Sequence, residues 1–128
     1  MPALVQRALH HPERTAIISD GQSYTYGQLL HQSALTAHTL LAGRQDLNES
    51  RVAFLVPPSY DYVRCQWGIW RAGGIAVPLC TAHPLPSLRY VLEDTMANVL
   101  ILHPDYEDLL GETAHELDIR VLRLRDLP

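Results

Sequence analysis

The chain has 128 residues, 47% of them hydrophobic and 19% charged, which suits one globular domain burying about two thirds of its unfolded surface. Its formal charge of −4 argues against nonspecific binding to nucleic acid. The longest apolar runs, such as Val52–Val56, are far shorter than the roughly 20 residues needed to span a bilayer.

Residues 3–10 (ALVQRALH) predict a short amphipathic helix that stops before Pro12. Residues 14–19 and 22–26 read as two strands joined by Asp20-Gly21, a pair that accepts the positive φ angles of a tight hairpin. Thr25 and Gln28 have the spacing of a capping box. The helix behind it places Leu30, Ala34, Ala37 and Leu41 on one stripe and ends at Gly43. Arg51–Val56 is apolar on both faces, as a strand covered by helices on two sides must be. Pro57-Pro58 breaks it, and Ser59 is placed to cap a helix from about Tyr60 to Ala72, with Val63, Trp67 and Trp70 on one side. Ile75–Leu79 predicts a second buried strand. Pro86 and Ser87 open a helix with Leu88, Val91 and Leu92 inward. Val99–Leu102 predicts a third strand, Asp105 caps a helix to about Leu117, and Ile119–Leu124 predicts a fourth strand near an edge. The alternation implies an α/β fold: a parallel, Rossmann-like βαβ half-domain over about 51–124, preceded by a helix, a β-hairpin and a capped helix.

Gly73-Gly74 is the one feature that suggests a phosphate loop. Such a loop follows a strand and opens a helix, so that free amides point at the anion. This pair does the reverse: it follows a helix and opens a strand, which predicts a left-handed helix cap and close backbone packing. The strand-to-helix turns themselves, Pro57-Pro58-Ser59, Cys80–Pro84 and His103-Pro104-Asp105, carry no glycine.

The seven histidines lack zinc-site spacing; His31 and His38 share a helix face two turns apart, and His10 and His11 diverge. Thr25, Ser59 and Ser87 sit where helix caps belong, which argues against a nucleophilic role. Cys65 is expected to be a buried small hydrophobe, and Cys80, which follows a strand at the end where α/β sites collect, is the better reactive-thiol candidate. Two cysteines make no disulfide framework, and the first residues lack the basic start and apolar block of a secretory signal. A reducing cytoplasm is therefore the expected compartment.

In order and spacing, three stretches resemble the adenylate-forming acyl-CoA synthetases of the AMP-dependent synthetase/ligase family. YTYGQLLHQSALTAHTLL (24–41) is similar to that family's first core motif, and RVAFLVPPSYDYV (51–63) to its next strand and proline turn. WRAGGIAVPLCTAHPLPSLRYVLEDTMANVLI (70–101) is similar to its second core motif. The WGIWRAGGIAVPL segment followed by His83-Pro84 looks most like malonyl-CoA synthetases.

The resemblance implies an ATP- and magnesium-dependent acid–CoA ligase of several hundred residues. Its phosphate loop, ribose-binding aspartate and mobile C-terminal domain fall outside the matched region. The catalytic lysine of adenylation has no counterpart, because all ten basic residues are arginine. The expectation is a fragment of the large N-terminal domain, inactive by itself, with no catalytic or metal-binding residue of its own. Its expected partners are the remainder of the parent enzyme and, through exposed apolar surface, a second copy. Arg89 is the one residue the resemblance offers as a ligand contact, toward a CoA phosphate. Two alternatives stand beside this one: a free-standing noncatalytic interaction module, and a small flavodoxin-like or response-regulator-like domain.

Overall fold

In the computed structural model, which describes residues 1–128, a short helix α1 (Ala3–Ala8) precedes a hairpin of β1 (Thr15–Ser19) and β2 (Gln22–Thr25). Asp20 and Gly21 have φ of +50° and +76°, the pair of positive angles that a type I′ turn demands. The capping box is present: Thr25 Oγ1 accepts from the Gln28 amide at 3.1 Å, and Gln28 Oε1 accepts from the Thr25 amide at 2.7 Å. It starts α2 (Tyr26–Leu41). Strands and helices then alternate: β3 (Arg51–Leu55), α3 (Tyr60–Arg71), β4 (Ile75–Pro78), α4 (Leu85–Asp94), β5 (Val99–Leu102), α5 (Glu107–Glu116) and β6 (Arg120–Arg123).

The last four strands form one parallel sheet in the order β4-β3-β5-β6, with Val52 between Ala76 and Val99, and Leu100 beside Val121. On one face Val52, Phe54, Val99 and Ile101 pack against Leu40, Cys65 and Ile69 of α2 and α3. On the other, Ala53, Leu55, Leu100 and Leu102 meet Leu88 and Leu92 of α4 and Leu110 and Ala114 of α5. Covering both faces is what requires the unbroken apolar runs of β3 and β5. A third cluster, including Val5, Leu29 and Trp67, seats α1 and the hairpin on the outer side of α2 and α3.

The structure revises four local expectations. The buried stripe of α2 runs through Leu29, Leu30, Ser33, Thr36, Ala37 and Leu40, and Ala34 faces solvent. The stripe is rotated because α3 crosses α2 at Gly68, where an added Cβ would lie 2.6 Å from Thr36 Cγ2 and 3.2 Å from the Ser33 carbonyl oxygen. Small polar residues on α2 permit that approach where leucines would not. Strand β4 is an edge strand, with Ile75 41% exposed, because the chain returns across β3 before laying down β5. Pro78, which has no amide, suits an edge. Ser87 lies inside α4, whose N-cap is Pro84. Finally, His103 caps the turn that Asp105 was expected to cap, its Nδ1 accepting from the Asp105 amide at 3.1 Å. A tight helical turn, Pro104–Tyr106, therefore precedes α5.

Candidate functional site

In a parallel sheet the carboxyl ends of the strands gather on one rim, and ligands bind where neighbouring strands send their connections in opposite directions. Here that point lies between β3 and β5. Several of its backbone donors are already committed. Pro57 and Pro58 have no amide, and the Tyr62 amide donates to Ser59 Oγ at 3.3 Å. The Tyr60 amide donates to Ser19 Oγ at 3.3 Å, while the Tyr24 and Tyr60 rings stack with centroids 3.9 Å apart. The hairpin thus sits on the start of α3. After β5, the His103 amide donates to the Leu55 carbonyl, and the Tyr106 amide to the His103 carbonyl. Neither turn presents the row of free amides that a triphosphate needs.

The glycine pair turns the chain. Gly73 has φ of +85°, its amide donates to the Trp70 carbonyl, and the Gly74 amide donates to the Ile69 carbonyl. These two bonds make a Schellman cap on α3. A Cβ on Gly73 would overlap the Asp46 carboxylate, and one on Gly74 would press on Ile69 and Leu47 at 3.1 Å. The Gly73 carbonyl accepts from Glu49 and the Ala72 carbonyl from Leu47, so the cap also anchors the loop before β3.

Arg89 projects from α4 with 41% of its side chain exposed and holds two carboxylates, Glu93 Oε1 and Glu116 Oε2, each at 2.8 Å. Hydrogen bonds to Glu116 and Glu93 hold its guanidinium above the usual arginine range. Cys65 is buried, and desolvation pushes its thiol up to about 12, with nearby Arg64 opposing. Cys80 is exposed at the rim. Ser59 Oγ donates to the Pro57 carbonyl while capping α3, so its hydroxyl is occupied.

A polar cleft of about 460 Å³ opens between the hairpin, α2, α3 and the chain's last residues. At its floor lies Arg64, 7% exposed; its Nε donates to Asp61 at 2.9 Å, and its Nη1 donates to Gln32 and to the Pro128 carbonyl. The Asp61–Arg64 pair was readable from its i, i+3 spacing. The Gln32 and Pro128 partners come from other elements, and no local pattern announces them. Tyr60 lines the same cleft, and burial pushes its phenol up to about 12. No three His, Cys, Asp or Glu side chains converge as a metal site.

The model of a family described as "AMP-binding enzyme" matches residues 4–126. The mitochondrial malonate–CoA ligases of Xenopus laevis and Homo sapiens are 37% and 34% identical over 122 residues, 92% of this chain. The chain spans 21% of their length. The apo structure of MatB from Rhodopseudomonas palustris superposes with a TM-score of 0.81 at 26% identity, over 94% of this chain and 25% of that one. With a match across nearly every residue and a shared sheet, the chain belongs to the AMP-binding enzyme family.

Proposed function

We propose that this chain is part of the large domain of an ATP-dependent acid–CoA ligase acting on a malonate-like acid, with medium- and long-chain fatty acids as the competing substrate class. A carboxylate is a poor electrophile until AMP becomes its leaving group, which is the chemistry such a ligase supplies. The supporting observation is the 37% identity to a malonate–CoA ligase over 92% of the chain. Within that enzyme residues 1–50 and 51–124 act mainly as scaffold, and the parts that handle ATP and Mg2+ belong to the remainder. The test is to express the complete reading frame and measure CoA thioester formation with malonate, a medium-chain acid and a long-chain acid. A malonate preference is expected; no thioester with any acid would reject the reading.

Arg89 remains the proposed contact to a CoA phosphate, which would have to draw the guanidinium from Glu93 and Glu116. In the complete enzyme Arg89→Ala should raise KM for CoA and leave acyl-adenylate formation unchanged. An unaltered KM removes Arg89 from the site.

Self-association is proposed for the isolated chain. Leu4 and Ile75, 54% and 41% exposed, rim an open groove of about 630 Å³ beside Trp70. A dimer by light scattering is expected, and a monomer at high concentration contradicts it. No helix is long and apolar enough to cross a membrane. The cytoplasm is the proposed compartment, on the two free cysteines; the vertebrate relatives are named mitochondrial, and cell fractionation decides.

A further inference from the structure

The arginines of this chain are mostly committed. Arg64, Arg89, Arg123 and Arg125 pair with carboxylates. Arg71 and Arg120 donate to carbonyls of α2. Arg7, Arg14, Arg44 and Arg51 do neither, and the first two share a concavity of about 250 Å³ between α1, the loop behind it and the start of α2. His11 and Tyr26 add polar lining, and Leu4 and Ala8 of α1 add apolar lining. No carboxylate lines it. Glu13, the acid nearest in sequence, is exposed outside it.

The walls are fixed in place. The Tyr26 amide donates to the Arg14 carbonyl and the Gly27 amide to the Pro12 carbonyl, both at 2.9 Å. An added Cβ on Gly27 would come within 3.1 Å of that Pro12 oxygen, so the loop lies tight against α2. The Arg14 amide donates to the His11 carbonyl, which closes the loop on itself. These bonds use the backbone donors, so the concavity offers side-chain donors only: two guanidinium groups, an imidazole and a phenol. The start of α2, a 16-residue helix, adds a positive field.

In a chain of net charge −4, an acid-free concavity with two uncommitted guanidiniums selects a small dianion. Two guanidinium forks with an imidazole and a phenol supply enough donors for three phosphate oxygens, more than one carboxylate can accept at both its oxygens. We propose that this concavity binds the phosphate group of a phosphomonoester, with Leu4 and Ala8 against the apolar part of the ligand. A soluble phosphate ester and an anionic lipid headgroup share this chemistry.

The test titrates the chain at neutral pH with inorganic phosphate, with chloride at matched ionic strength, and with phosphatidylcholine vesicles with or without phosphatidic acid. The readouts are the side-chain Nε signals of Arg7 and Arg14 and the Tyr26 amide. Saturable shifts with phosphate are expected, and chloride should not reproduce them. The double variant Arg7→Gln, Arg14→Gln should bind at least about tenfold more weakly. Arg44→Gln, at the far end of α2 from Tyr26, should bind as the unaltered chain does. Binding to phosphatidic acid vesicles but not to free phosphate assigns the group to a lipid headgroup and upholds the site. No saturable shift with either source, an equal response to chloride, or undiminished binding by the double variant overturns it. An unchanged amide spectrum away from the concavity confirms that the double variant is folded.

Discussion

Replacing Gly73 with alanine separates a chain-turning role from a ligand-binding one. A φ of +85° lies in the left-handed region, where a Cβ costs about 1–2 kcal/mol. The Cβ would also overlap the Asp46 carboxylate, whose Oδ1 accepts from the Asn48 amide at 2.7 Å. Moving that exposed carboxylate forfeits about 0.5–1 kcal/mol. The sum, about 1.5–3 kcal/mol, should lower Tm by roughly 3–6 °C per kcal/mol for a domain of this size. Urea unfolding followed by tryptophan fluorescence measures it, since Trp67 is buried and Trp70 half-buried on the same helix. In an Asp46→Ala background the clash is gone and only the backbone strain remains. Gly73→Ala should then cost about 1–2 kcal/mol, leaving a coupling near 1 kcal/mol between the two sites. A variant as stable as the original chain would refute the cap, and with it the claim that the pair exists to turn the backbone.

Two further predictions rest on the same kind of accounting. Met96 occupies the position after the α4 cap with φ of +54° and is 72% exposed, so Met96→Gly should stabilise the fold by about 0.5–1 kcal/mol in urea titration. Cys65 rises from 9.0 to about 12 and Tyr60 from 10.0 to about 12 on folding, so above pH 9 the unfolded chain gives up protons that the folded chain keeps. Stability should fall between pH 9 and 12, by about 1.4 kcal/mol per pH unit for each group in its window. Cys65→Ala should flatten the first part of that fall, and an unchanged alkaline profile would contradict the burial argument.

Much of the framework was legible because it is local. The Asp20-Gly21 turn, the Thr25–Gln28 box, the Ser59 cap and the glycine pair are each fixed by residues within a few positions of one another. The alternation of short apolar runs with helices carried the parallel sheet. What stayed hidden depends on spatial neighbours. The edge position of β4 follows from strand order, which Ile75–Leu79 cannot express. The rotated face of α2 follows from Gly68, thirty-two residues past Thr36. Arg64 draws partners from α2 and from the last residue, and the concavity at Arg7 and Arg14 joins a loop to a helix start. The family was legible because three stretches kept their order.

The central proposal is that this chain, whose strand-end turns spend several of their own donors, is a scaffold without a nucleotide cradle of its own. Carboxylate-dependent exchange of labelled pyrophosphate into ATP, measured on the 128-residue chain with malonate and Mg2+, tests it most directly. The expected result is exchange no greater than in the absence of protein. Exchange that requires malonate and scales with protein concentration would contradict the account.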